Sequence, residues 1–420
     1  MPRGESGHHN IESEISLNKN HETTVLVINC GSSSIKMALI SQASGNRLAE
    51  SLVERLGQKE SLLRWHTDGR EKVMPIPDAG HAAALQQQLD MLIASCETKN
   101  ITAVGHRIVH GGERFIEPTL LNADIIDEIS TLSHLAPLHN PVNLLGIHAA
   151  MNAFPDIPHI AVFDTAFHHA MPPHAYMYAV PHHWYREYGV RRYGFHGTSH
   201  HYVAGQAAQR LGHASDACQL ITVHLGNGCS ATAVRNGISV DTTMGMTPLE
   251  GLVMGSRSGD VDPGLHDYVA RQSGKTLKQI TDTLNGESGL FGVSEQSNDM
   301  RSLLAAEAAG DERAGLAIDL FCYRLAKSVA GLTVALEHLD GLVFTGGIGE
   351  HAEAIRSRTC RQLASIGIAL DEQKNRQHGH TSAGLINRED TVPVLVIATN
   401  EEKMIARYVY DRLNQRRKAR

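Results

Sequence analysis

Two short stretches of this chain follow one plan, and no other feature restricts its fold as much. In the first, the apolar run 25–28 (VLVI) leads into Asn29-Cys30-Gly31 and three serines, and a second run covers 35–40. In the second, residues 220–224 lead into Leu225-Gly226-Asn227-Gly228-Cys229 and then 230–234. Each reads as strand, polar turn, strand. An Asn236-Gly237 pair, the strong type I′ hairpin signal, joins the second to 238–241. Two such hairpins at the starts of two halves point to an internally duplicated α/β fold. Two unrelated hairpins in one α/β protein give the same pattern, and the pattern alone leaves both open. The 420 residues allow two or three domains of roughly 150 residues. With 42% apolar and 20% charged residues, the chain can fill real cores.

Further strands fit 101–109, 160–163, 341–345 and 393–397. Helical periodicity marks 82–96, 122–132 and a long stretch at 311–338. A last helix starts at Glu401 with Asn400 as its N-cap and carries the basic end LNQRRKAR. Residues 1–22 are polar and aperiodic and read as a loose tail. Lys plus Arg number 38 against 45 Asp plus Glu, a net charge of −7. This argues against nucleic acid as the main partner, while a local cationic pocket for a small anion remains compatible with it. Six irregularly spaced cysteines with no C-x-x-C pair disfavour a disulfide scaffold or a cysteine zinc site. No long apolar run or signal-peptide core is present, so the expectation is a cytoplasmic enzyme with no membrane partner.

Three glycine-rich turns suit phosphate. The first runs from Asn29 to Lys36 and the second from His224 to Gly228. The third, Gly346-Gly347-Ile348-Gly349-Glu350, follows a buried strand and opens a helix. Any one could be a purely structural turn; three together favour a nucleotide site. Ser273-Gly274-Lys275-Thr276 imitates the end of a P-loop, but the upstream glycine position is Val269, so it reads as a helix C-cap followed by a new helix. No G-x-G-x-x-G follows a strand, which disfavours a dinucleotide fold. Arg107 and Arg257 lie among glycines, where a guanidinium can approach a carboxylate or phosphate as a bidentate fork. Asp164 ends a strand, where α/β enzymes place active groups, although a turn carboxylate would sit there too. His196 stands between glycines. The groups His168, His169, His174 and His196, His200, His201 raise a metal site, but without a recognised ligand spacing it ranks below phosphoryl transfer.

The stretches VLVINCGSSSIK, GHRIVHGGERF, LAPLHNPVNL, AVFDTAFH, RRYGFHGTSHHYV, HLGNGCSATAVRNGISVDTTMGMTPLEGLVMGSRSGDVDPG, GLVFTGGIGE and ATNEEKMIA span residues 25 to about 406. With them the chain resembles the acetokinase family of short-chain carboxylate kinases, in the actin-like ATPase superfamily. The resemblance implies a duplicated ribonuclease-H-like two-domain fold with an interdomain cleft. It places the first domain at 24–167 plus 402–420, the second at 168–401, and a disordered tail at 1–23. It implies reversible, in-line phosphoryl transfer from ATP to acetate, giving ADP and acetyl phosphate, with Mg²⁺ (or Mn²⁺), in a homodimer.

By position in the matched motifs, Asn29 and Glu401 resemble metal-site residues, and Ser32, Ser34 and Lys36 line the first phosphate loop. Arg107 resembles the carboxylate-binding residue, and Val109, Leu138, Phe195 and Pro248 the pocket for the methyl group. Asp164 resembles the catalytic aspartate, and His196 with Arg257 the pair that stabilises the moving phosphoryl group. His224, Leu225, Gly226, Asn227 and Gly228 resemble the second phosphate loop. Asp299, Met300, Arg301, Gly347, Ile348, Gly349, Glu350 and His351 resemble the adenosine site. Two departures touch that site: His351 replaces the usual Asn, and SEQSN precedes Asp299. The alternatives are a propionate kinase, a non-kinase ATPase switch on the same fold, and a histidine-based metal hydrolase.

Overall fold

A computed structural model describes residues 23–31, 33–67, 69–95 and 100–418. The tail, Ser32 and Cys96 lie outside the described residues. The first sheet is built from β1 (Thr24–Cys30), β2 (Ser34–Ser41), β3 (Arg47–Glu54), β4 (Leu62–Thr67), β5 (Arg70–Pro75), β6 (Ile101–Ile108), β7 (Thr119–Leu120) and β8 (His159–Phe163). Their order across the sheet is β5-β4-β3-β2-β1-β6-β8-β7. The second contains β9 (Gln219–Leu225), β10 (Cys229–Arg235), β11 (Ile238–Thr242), β12 (Gly341–Thr345) and β13 (Val394–Val396), in the order β11-β10-β9-β12-β13. The duplication is plain in the pairing. In β3-β2-β1-β6-β8, as in β11-β10-β9-β12-β13, the first three strands pair antiparallel and the last two join in parallel.

The central strands of each sheet are buried on both faces, and strand alternation divides their side chains between them. From β1, Leu26 and Ile28 pack toward the helix His81–Ala94 through Leu85 and Leu89. Val25 and Val27 face the opposite way, onto Ile405, Ala406 and Val409 of the last helix, Glu401–Lys418. Gly105 lets that helix close on β6, since a Cβ there would lie 2.9 Å from Ile405 and Val409. In the second sheet, Ile221 and Val223 pack against the helix Glu312–Leu332, while Leu220 and Val343 pack against Gly197–Leu211.

Several expectations shift in detail. The long helix stops at Leu332 and a 3₁₀ turn follows, with Thr333 Oγ1 bonded to the Ala330 carbonyl. Gly274 caps one helix at φ 70°, and Thr276 with Gln279 forms a capping box for the next, so SGKT is punctuation. β6 ends at Ile108, leaving Val109 one residue beyond the strand.

Candidate active site

The ends of β1, β6 and β8 meet at one ion pair. Arg107 donates from Nε to Asp164 Oδ1 at 3.0 Å and from Nη2 to Oδ2 at 2.5 Å. Its Nη1 donates to Asn29 Oδ1 at 3.0 Å, and Glu401 Oε2 lies 3.9 Å from Nε. Burial raises the Asp164 pKa, Arg107 pulls it down, and the nearby Glu401 charge adds to the rise. Burial opposes the Arg107 charge, but Asp164 and Glu401 hold the guanidinium cationic. Three of its five N–H groups are engaged, which leaves two for a further acceptor.

His196 is the N-cap of the helix Gly197–Leu211 and holds φ 56°. A left-handed non-glycine residue at such a point is stored strain of the kind that gathers at working sites. Gly197 lies so close to Asp164 that a Cβ would stand 2.3 Å from the Asp164 carbonyl oxygen, which joins the His196 turn to the ion pair. Gly228, in the turn after β9, joins it to Arg257: a Cβ there would lie 3.4 Å from His196 Nε2 and 3.5 Å from Arg257 Nη1. The His224 ring stacks on His196 with centroids 4.4 Å apart. Both rings are neutral, pushed below the ordinary histidine range chiefly by burial. The positive charge at this point therefore belongs to Arg257. Its Nη1 donates to the Pro248 carbonyl at 3.1 Å, and it has no carboxylate partner among the described residues.

On the acyl side, Val109 and Phe195 share one buried cluster, while Leu138 is 65% exposed and stands outside it. The Val109 N–H is held by Asn143 Oδ1 at 3.0 Å, and Asn143 Nδ2 reaches the Cys30 carbonyl at 2.7 Å. Asn140 likewise clamps the His110 backbone. His139, on the same motif, is kept neutral by burial and by Arg257 and Arg107, its pKa lowered to about 4. Sequence reasoning did not nominate these three, although the stretch LAPLHNPVNL carries all of them.

On the nucleotide side, Gly346 at φ 77° rests on Leu225, where a Cβ would lie 2.7 Å from the Leu225 carbonyl oxygen. Glu350 Oε1 accepts from the Gly346 and Thr399 N–H groups. The buried Arg356, also missed, donates to the Gly349 and Glu350 carbonyls. Asn227 accepts from Gly255 N–H and from Asn298, linking the Arg257 loop to the segment before Asp299. Gly347 has open space where a side chain would be, and His351 is exposed.

Several nominated residues have partners within the protein. Lys36 Nζ is engaged by Glu402 at 2.9 Å and Glu50 at 3.0 Å, because these carboxylates on the last helix and β3 flank its strand. Asp299 caps its helix by accepting from Ser302 N–H, and Arg301, 91% exposed, pairs with it. Met300 is buried in the second sheet's core. Ser34 pairs its carbonyl with Gly31 N–H in the first turn. The histidine clusters are not arranged for a metal: His168 and His200 each bond protein groups through both ring nitrogens. Around Arg107, by contrast, Asn29, Asp164 and Glu401 gather hard oxygen donors. Two mutually repelling carboxylates there share one arginine, a donor set that fits Mg²⁺ with retained waters.

Residues 24–407 match the acetokinase family profile. The chain is 53% identical to an acetate kinase of Deinococcus deserti over 383 residues, covering 91% of this chain and 96% of that one. It is 51% identical over 382 residues to an acetate kinase of Pseudomonas aeruginosa, with 91% and 97% covered. Among solved structures, a propionate kinase from Francisella tularensis superposes with TM-score 0.87 at 42% identity, over 92% of this chain and 98% of that one. Porphyromonas gingivalis acetate kinase superposes with TM-score 0.84 at 40% identity, over 93% and 100%.

Proposed function

The chain belongs to the acetokinase family, and from that premise we propose that it is an acetate kinase moving the γ-phosphoryl group of ATP reversibly and directly onto acetate. The observation that carries this reading is Arg257, a guanidinium without an acid partner, beside His196 Nε2 and the bare backbone of Gly228. An anion is the natural occupant of that point. Acetate docks its carboxylate on the two remaining N–H groups of Arg107, with its methyl toward Val109 and Phe195. One acetate oxygen forms the new bond to phosphorus as the bond to the β,γ-bridging oxygen breaks, and ADP leaves with that electron pair. Transfer through a loose, metaphosphate-like state asks for positioning and charge neutralisation rather than covalent help. Arg257 supplies the fixed charge, His196 donates a hydrogen bond, and Asp164 holds the Arg107 fork. Asn29, Glu401 and Asp164 would hold Mg²⁺, which would supply further charge neutralisation on the nucleotide phosphates.

Adenosine is assigned to Asp299–Arg301 and Gly347–His351. The segments 24–167 plus 402–420 and 168–401 act as the two domains on either side of the cleft, with 1–23 as a tail. A homodimer is favoured by exposed Leu316 and Tyr323, two helical turns apart, together with exposed Val334. Light scattering on the eluting protein is expected to give twice the 45.7 kDa chain mass; a monomer at micromolar concentration contradicts it. No helix among the described residues is long and apolar enough to cross a membrane, and we place the enzyme in the cytoplasm. Incubation with ATP, Mg²⁺ and acetate is expected to yield acetyl phosphate, trapped by hydroxylamine as acetyl hydroxamate. No hydroxamate from folded protein would refute the assignment.

Two variants test the parts. Val109→Ala removes bulk from the cluster shared with Phe195. One methylene is worth about 1–3 kcal/mol in such a pocket, so propionate over acetate kcat/KM should rise roughly tenfold. An unchanged ratio, or a wild-type preference for propionate, contradicts acetate as the fitted substrate. Glu401→Gln weakens the oxygen donor set, and the Mg²⁺ concentration giving half-maximal rate should rise about 10–100-fold; an unchanged requirement removes Glu401 from the metal site.

A further inference from the structure

A neutral imidazole has one proton for two nitrogens, and the choice decides what His196 Nε2 offers to an anion. With the proton on Nε2 it is a donor; with the proton on Nδ1 it presents a lone pair that repels phosphoryl oxygens. The groups behind the ring determine which. His196 Nδ1 is 2.9 Å from Ser230 Oγ. The same oxygen is 2.8 Å from His200 Nε2, and His200 Nδ1 is 2.7 Å from Thr222 Oγ1. Ser230, His200 and Thr222 are all fully buried.

The Ser230 hydroxyl has a single hydrogen. It can donate to one ring and accept from the other; accepting from both would leave that hydrogen buried with no acceptor among the described residues, so two satisfied polarities remain. The far end selects between them. Thr222 Oγ1 has no other hydrogen-bond partner among the described residues. If it accepted from His200, its own hydrogen would be buried without an acceptor. If it donates, only a spare lone pair is left over, the more tolerable outcome in an interior. Thr222 therefore donates to His200 Nδ1, His200 Nε2–H donates to Ser230, and Ser230 donates to His196 Nδ1.

We propose that Thr222, His200 and Ser230 form a directional hydrogen-bond relay that fixes His196 as the Nε2–H tautomer, aimed at the position flanked by Gly228 and Arg257. They are positioning residues: none reaches the cleft, and each acts through the next. The consequence for rate rests on the phosphoryl-transfer reading above; the tautomer does not. Burial, with His224, His200, Arg107 and Arg257 nearby, keeps His196 from protonating, so the ring cannot escape the choice by becoming a cation.

The test is long-range ¹H–¹⁵N spectroscopy of the full-length chain labelled at histidine, with the His196 signals identified by their loss in His196→Asn. The expected wild-type spectrum has His196 protonated at Nε2 and bare at Nδ1. In Ser230→Ala and in the near-isosteric Thr222→Val, that preference should be lost. There kcat should fall about 10–100-fold, with the KM for acetate and ATP within about twofold, while Thr222→Ser should restore both spectrum and kcat. A wild-type Nδ1–H spectrum overturns the relay even if no variant folds. Unaltered tautomer and kcat in folded Ser230→Ala and Thr222→Val overturn it as well. A wild-type chain with the Nε2–H spectrum but no acetyl phosphate would sink the kinase reading and leave the relay standing.

Discussion

Arg257→Ala is expected to fold normally and to lose about 10²–10³ in kcat, the cost of removing one preorganised transition-state partner. The expectation of a normal fold comes from how the loop is held. Gly255 N–H bonds the Asn227 carbonyl, and Met254 N–H bonds the Arg257 carbonyl, both backbone contacts that survive the substitution. The side chain itself gives up a bond to the half-buried Pro248 carbonyl, which water can replace, and a long, weak one to Met254 Sδ. Burial already taxes the Arg257 charge, so the free enzyme is not relying on it for stability. Steady-state kinetics beside a thermal melt checks the pair of statements. Near-normal kcat in a folded variant would remove Arg257 from the chemistry.

Arg107→Ala should behave differently, because this arginine is also the partner of a buried carboxylate. Its bidentate contact with Asp164 ties the fold to it. Removing one member of a buried pair costs about 3–5 kcal/mol, since the other is left charged in a low dielectric. Turnover should fall by about 10²–10³ as well. The sign of the pH dependence follows. With its guanidinium gone, Asp164 takes up a proton more readily in the folded variant than in the unfolded chain. The stability deficit is therefore greatest in alkaline solution and shrinks as pH falls through the folded-state pKa. Arg107→Ala/Asp164→Asn should recover most of the stability and none of the turnover. Equal denaturation midpoints for wild type and Arg107→Ala across pH would contradict the ion pair's structural role.

These two arginines illustrate what the chain's sequence declares and what it withholds. Local chemistry is legible: the turn at Gly226, the C-cap at Gly274, and the apolar runs of β1 and β9 read correctly because each depends on near neighbours, although β1 extends through Asn29 and Cys30, which read as turn. The match between the two halves is settled by parallel pairing of β1 with β6 and β9 with β12, strands separated by more than 70 and 110 residues, which no local pattern encodes. β5 is not legible because it is an exposed edge with only Met74 half-buried, so its run has no apolar alternation to read, and in β3 the buried face includes the polar Ser51, which breaks the apolar pattern. Within the site, the motif residues Arg107, Asp164 and Glu401 are legible, while Asn143 and Ser230, ordinary polar residues whose side chains support the site from behind, are not. Asn143 reaches Cys30 across 113 positions, and Ser230 reaches His196 across 34. Lys36 was nominated for its turn, yet Glu402, far along the chain, takes its amine.

The central claim is that phosphoryl moves directly between nucleotide and acetate, with His196 a hydrogen-bond donor and never a carrier. The stereochemical course at phosphorus tests it most directly. With ATP made chiral at the γ-phosphorus by oxygen isotopes, one in-line displacement inverts the configuration, and the acetyl phosphate formed is predicted to be inverted. Retention would mean two displacements through a phosphoenzyme, and would contradict the account.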